Sequence, residues 1–118
     1  MADWGPEKTR DRTRILVLGD SGVGKTSLIH LICTGQELKR PRSTVGCFIH
    51  MKMHESRASP GKASCVEFWD VGGSERFKGT RQVFFSSNQH DGILFVHDLS
   101  NSVSRRNVER WKQEWIDS

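Results

Sequence analysis

Apolar residues fall in a few short runs separated by longer polar stretches. The first run, Ile15-Leu16-Val17-Leu18, is continuous and predicts a strand over about Arg14–Leu18 buried on both faces, as in a parallel sheet. Leu28, Ile29, Leu31 and Ile32 then recur at helical spacing. They predict a helix over about Lys25–Cys33 with these four inward and Gly35 as a left-handed cap. Val45–His54 alternates instead, with Cys47, Ile49, Met51 and Met53 on one side and Phe48, His50, Lys52 and His54 on the other. This reads as a half-buried strand whose methionines fill core. Glu55–Ser64, containing Ser59-Pro60-Gly61-Lys62, predicts a hairpin turn that returns as an antiparallel strand at about Cys65–Trp69. Ser74–Asn88 is mixed and predicts a short helix containing Val83, Phe84 and Phe85. Gly92–His97 is a second continuous apolar run, and Ser102–Trp115 reads as one helix with Val108, Trp111 and Trp115 along a packing stripe. Residues 1–13 are polar and read as a flexible leader, with Trp4 and Pro6 its notable features.

The order strand–helix–strand–strand–(helix)–strand–helix predicts an open α/β sheet, mostly parallel, with one antiparallel hairpin at an edge. In such a sheet ligands bind at the C-terminal ends of the strands.

Composition narrows this further. With 118 residues, 35% hydrophobic and 27% charged, the chain suits one soluble globular domain with a small core better than a disordered segment. The net charge is +4, but acidic residues are interspersed with the basic ones. The densest basic stretch, Lys39-Arg40-Pro41-Arg42, has no aromatic platform beside it, so it reads as a solvated loop and no nucleic-acid partner is expected. Cys33, Cys47 and Cys65 are odd in number and form no CxxC pair, which fits reduced thiols in the cytoplasm serving as small buried hydrophobes. No apolar run is long enough for a membrane span and no terminal cysteine offers a prenyl site. No direct membrane anchor is therefore expected, and any membrane association would be peripheral, through partners. His50 and His54 share a strand face but lie too far apart for easy joint metal ligation.

The chemistry concentrates at Gly19-Asp20-Ser21-Gly22-Val23-Gly24-Lys25-Thr26, a Gly-x-x-x-x-Gly-Lys-Thr motif between a buried strand and a helix. In that setting backbone N–H groups form an anion nest at a helix N-terminus, Lys25 reaches outer phosphates, and the Thr26 hydroxyl can ligate Mg²⁺. The bland alternative is a Gly-rich turn that caps a helix. Asp70, at the end of an apolar strand and followed by Val71-Gly72-Gly73, is the expected metal-side carboxylate. Gly73, lacking a Cβ, can bring its N–H to a terminal phosphate. Thr44 closes the polar loop 36–43 and is a candidate for Mg²⁺ or a γ-phosphate; its alternative role is to start a strand.

These segments, with Thr44-Val45-Gly46, Trp69-Asp70-Val71-Gly72-Gly73-Ser74-Glu75-Arg76-Phe77 and Phe95-Val96-His97-Asp98-Leu99, resemble Ras-superfamily small GTPases of the Rab branch. Within it they are most similar to the Rab-like protein three group and its plant relatives, over about residues 14–115. The resemblance implies a P-loop fold, GTP binding with Mg²⁺, slow hydrolysis to GDP, and two conformations read by partners. It implies phosphate contacts from the loop Gly19 to Ser27, with Ser21, Gly22, Gly24, Lys25, Thr26 and Ser27 foremost. Thr26 and Thr44 would hold Mg²⁺, Asp70 would act through a water, and Gly73 would sense the γ-phosphate. An exchange factor, an activating protein and effectors would meet Gln36–Gly46 and Ser74–Phe85, and a homodimer fits the subgroup.

Two departures stand out. The position after the sensing glycine, a water-orienting Gln in the family, is Ser74, too short for that task; hydrolysis should be slow, and the Glu75 carboxylate would face an anionic phosphate. The family's later base-reading loops are also missing, so residues 14–118 read as the N-terminal portion of the domain, incomplete on its C-terminal side. Two other functions stay open: an interaction module or inactive fragment that holds no nucleotide, and an ATP-using P-loop enzyme.

Overall fold

The computed structural model describes residues 12–55, 57–58, 60–74, 78–85 and 90–118. Its elements are β1 (Arg12–Leu18), α1 (Lys25–Thr34), β2 (Cys47–Glu55), β3 (Ala63–Val71), α2 (Lys78–Phe85), β4 (Gly92–Phe95), α3 (Ser102–Arg106) and α4 (Val108–Ile116). The leader residues 1–11, with Trp4 and Pro6, lie outside the described residues, as do Glu75, Arg76 and Phe77. Arg12 and Thr13, read as leader, instead extend β1.

The four strands form one sheet in the order β2-β3-β1-β4. β1 pairs parallel with β3 (Leu16 opposite Trp69) and with β4 (Leu16 opposite Ile93), while β2 and β3 are the antiparallel hairpin (Ile49 opposite Trp69). This is the open, mostly parallel α/β sheet that the order of elements predicts. Parallel pairing of β1 with both β3 and β4 puts it in the centre, where both faces must be apolar. On one face Leu16, Leu18, Val71, Phe85 and Trp111 form the core; on the other, Val17, Ile29 and Phe68 do so beneath α1.

Several predicted details differ. Of the four apolar residues expected inward on α1, Ile29 is fully buried and Ile32 half-buried, but Leu28 and Leu31 are exposed. The stripe facing the sheet is Lys25, Ile29, Ile32 and Cys33, and Leu28 and Leu31 point to the side and away. The faces of β2 also depart from the prediction, although Cys47 is half-buried against the core and Phe48 and His54 are exposed as expected. Ile49, Met51 and Met53 are exposed, at 48%, 58% and 63%, while His50 and Lys52 are half-buried. The reason is coverage: α1 packs against β2 from the His50–Lys52 side, whereas the core beneath α2 and α4 reaches this edge strand only at Cys47. The methionines are therefore surface, not core. Finally, the last helix is divided at Asn107. Asn107 N still donates to Val103 O and Trp111 N to Asn107 O, so the interruption is local, and Trp115 at its far end is exposed.

The strand expected over Gly92–His97 ends at Phe95, and Cys33, Cys47 and Cys65 are half-buried, not fully buried. Two turn expectations match. Gly35 caps α1 at φ 72°, its N–H donating to Leu31 O at 2.8 Å. The hairpin turn carries Gly61 at φ 84°, with its N–H donating to Glu55 Oε1; Ser56 and Ser59 lie outside the described residues.

Candidate functional site

The turn after β1 is built by backbone requirements. Gly22 and Gly24 take left-handed φ values of 80° and 96°. Gly19 is held by space instead: a Cβ there would lie 2.2 Å from Val96 O. The loop feeds directly into the first turn of α1, so its amides and the helix N-terminus act together.

Lys25 is buried, yet it does not meet hydrocarbon: Nζ donates to Gly19 O at 2.9 Å and to Asp20 O at 3.0 Å, curling back along the loop. Burial pulls its pKa below the ordinary lysine value, against the carboxylates of Asp70 and Asp20, and the nearby Arg81 adds to the lowering. An anion arriving at this loop would relieve that penalty.

Thr26, Thr44 and Asp70, from three separate segments, meet at one point. Thr26 Oγ1 donates to Asp70 Oδ2, its hydroxyl lies 2.9 Å from Thr44 Oγ1, and Thr44 Oγ1 lies 3.4 Å from Asp70 Oδ2. Asp70 is fully buried, and its second oxygen, Oδ1, has no hydrogen-bond partner. A buried carboxylate with one oxygen hydrogen-bonded to two hydroxyls and the other without a partner is a hard-oxygen donor set of the kind Mg²⁺ takes. The residues present fit that ion.

Beside this cluster lies a cleft of about 280 Å³. Its walls are Ser21, Gly22, Gly24, Lys25, Thr26 and Ser27 from the loop and α1, Pro41, Arg42, Ser43 and Thr44 from the segment before β2, and Gly73. Gly73 is pressed against the loop backbone, where a Cβ would meet Gly19 O at 2.3 Å and Ser21 N at 2.6 Å; a Cβ on Gly72 would meet Thr44 O at 2.4 Å. Most of the expected phosphate-side residues thus share one cleft. Gly19, Asp20, Val23 and the fully buried Asp70 are not among its walls. Asp20 turns the other way, accepting from Trp111 Nε1 at 2.8 Å and Asn107 Nδ2 at 2.7 Å. Ser74 is also outside the cleft, with its carbonyl accepting from Arg81 Nη1.

Sequence reasoning missed several residues. Arg42 and Pro41, taken as solvated loop, line the cleft. Trp111, read as packing, is buried but also bonds the phosphate loop, as does Asn107, read only as part of the last helix; Arg81 carries no sequence reading. The only signal was that Asn107 and Trp111 lie one helical turn apart, on the face toward the sheet.

A family profile described as "Ras of Complex, Roc, domain of DAPkinase" matches residues 14–117. The chain belongs to the Ras-like small GTPase family. Among curated relatives of this family, Rab-like protein 3 of Homo sapiens is 47% identical over 113 residues, covering 91% of this chain and 47% of that protein. Rab-like protein 3 of Danio rerio is 48% identical over 110 residues, covering 88% and 46%. The small GTPase-like protein LIP2 of Arabidopsis thaliana is 45% identical over 112 residues, covering 86% and 33%. The chain thus spans about half the length of the Rab-like relatives and about a third of LIP2. Among the described residues, no helix is long and apolar enough to cross a membrane.

Proposed function

We infer that residues 14–118 carry the phosphate- and magnesium-binding part of a guanine-nucleotide switch, which holds GTP and hydrolyses it slowly to GDP and phosphate. The observation that carries this reading is the meeting of Thr26, Thr44 and the buried Asp70 carboxylate, whose other oxygen has no partner, beside a glycine-built anion nest. When bound there, Mg²⁺ would neutralise charge on the outer phosphates. The chain's own groups do the rest. Loop amides from Ser21 to Ser27 bind phosphate oxygens, and Lys25 leaves the carbonyls of Gly19 and Asp20 to meet the terminal phosphate. Thr26, Thr44 and Asp70 hold the ion, while Gly73, packed against the phosphate loop, senses a third phosphate through its N–H. In-line attack by water is stabilised by this fixed charge, with no covalent nucleophile.

Ser74 sets the rate. Its side chain is too short to orient the attacking water as a glutamine would, so turnover should be slow and partner-dependent. The loop 36–46, whose Thr44 reaches the ion site, and the segment 74–85 are the surfaces where an exchange factor, an activating protein and effectors would act, in the cytoplasm or peripherally at membranes. A homodimer accords with the same reading.

Equilibrium dialysis of the chain with GTP and Mg²⁺ tests it. Retention at micromolar concentration or tighter is expected, with loss of at least tenfold for Lys25→Ala and for Asp70→Ala. Failure to retain GTP would leave an interaction module without nucleotide. Equal displacement of labelled GTP by ATP would point to an ATP-using P-loop enzyme instead. Single-turnover phosphate release as fast as that of a Gln-bearing relative would refute the role given to Ser74.

A further inference from the structure

Arg81, on α2, is only 2% exposed and is the largest fully buried side chain among the described residues. A guanidinium taken out of water needs a partner for each of its edges, and Arg81 finds them in three directions. Nε and Nη2 donate to Glu114 Oε2 and Oε1 of α4 at 3.3 and 2.9 Å, a two-pronged pair. Nη1 donates to Gly72 O at 3.3 Å and to Ser74 O, the carbonyls on either side of Gly73. Its flat face lies 4.5 Å from the Trp111 ring centroid. Trp111 in turn donates to Asp20 of the phosphate loop, and Gly73 rests against the backbone of that same loop. The contacts close a ring: Arg81, Trp111, Asp20, Gly73, and back to Arg81 through the carbonyls of Gly72 and Ser74.

We propose that Arg81 is a positioning residue for the phosphate site: it clamps the 72–74 segment so that Gly73 stays against the phosphate loop, and it thereby sets the preference for a triphosphate over a diphosphate. The proposal rests on the nucleotide reading above and deepens it. Arginine is required because no other side chain can fork onto a carboxylate, donate to two carbonyls and stack on an indole together. Lysine keeps the charge but has a single donor centre; glutamine loses both the charge and the fork. A diphosphate does not extend to Gly73, so loosening the clamp should weaken GTP far more than GDP. The clamp also ties α4 to the site, so the Trp111 indole should sense which nucleotide is bound.

The test measures GTP and GDP affinities with Mg²⁺ by calorimetry on the 118-residue chain and its variants, with a melting curve for each. Arg81→Gln should lower the GTP-to-GDP affinity ratio about tenfold, Arg81→Lys and Glu114→Gln by an intermediate factor, and the exposed Lys112→Gln not at all. In ¹⁵N spectra the Trp111 indole resonance, identified with Trp111→Phe, should differ between the GTP and GDP forms of the wild type and coincide in Arg81→Gln. Should Arg81→Gln not fold, Arg81→Lys and Glu114→Gln carry the measurement. Lower melting temperatures with an unchanged ratio would reduce Arg81 to a structural role and overturn the proposal, as would a ratio that rises. If the wild type binds neither nucleotide, the site reading itself fails and takes this inference with it. If it binds both and the ratio ignores Arg81, this inference alone is wrong.

Discussion

The two ends of the β2–β3 hairpin have similar letters and opposite fates. At one end Val71 and Asp70 are fully buried, Cys47 opposite Val71 is half-buried, and the chain continues into the phosphate-site turns. At the other, Met51 and Met53 alternate just as a core strand would, yet both stand in solvent. The difference is whether a helix lies above: α2 and α4 close over Val71, Leu16 and Leu18, whereas Arg12 and Arg14, paired to the buried Glu67, occupy the same face further along. An alternating pattern licenses burial; only a covering element delivers it.

That contrast can be broken by experiment, beginning where the effect is greatest. Leu18→Ala, inside the covered end, should destabilise the fold by about 2–5 kcal/mol in denaturant unfolding, because the cavity it leaves is walled by packed neighbours. Gly73→Ala should cost about 1–3 kcal/mol and also weaken nucleotide retention, since the new methyl meets the backbone of Gly19 and Ser21. A circular-dichroism melt together with dialysis separates the two effects, and an unchanged variant in both would show that the close approach does not exist in solution.

Cys47 marks the junction between the ends. Burial pushes its thiol up to about 12, and the negative charge of Asp70 adds to the shift. As pH rises past the ordinary thiol range, about 8.5, the unfolded chain loses this proton while the folded chain keeps it. The contribution to stability is therefore present below that range and declines from there towards 12. Iodoacetamide at pH 8.5 should accordingly modify native Cys47 at least about tenfold more slowly than the denatured chain, as read by peptide mass spectrometry. Equal rates would mean that the site end is open. Smallest of all, Met53→Ala should change stability by no more than about 0.5 kcal/mol. A loss near that of Leu18→Ala would show that something covers β2 after all.

Much of this protein was written locally. The run Ile15–Leu18, the motif from Gly19 to Thr26 and the cap at Gly35 depend on neighbours within a few residues, on backbone conformation and on hydrogen bonds closed within a turn. The sequence therefore determined the central strand, the phosphate turn, the first helix, the hairpin and the candidacy of Thr44, Asp70 and Gly73. What it left open was decided by residues far apart in the chain. Asn107 and Trp111 reach back across 87 and 91 positions to Asp20, and Arg81 joins Glu114 across 33. No periodicity encodes such pairings, because they exist only once sheet and helices are stacked. For the same reason tertiary structure alone chose which positions of β2 are wet, turned the Asp20 carboxylate away from the cleft, and converted a tryptophan read as filler into a link between a helix and the phosphate loop.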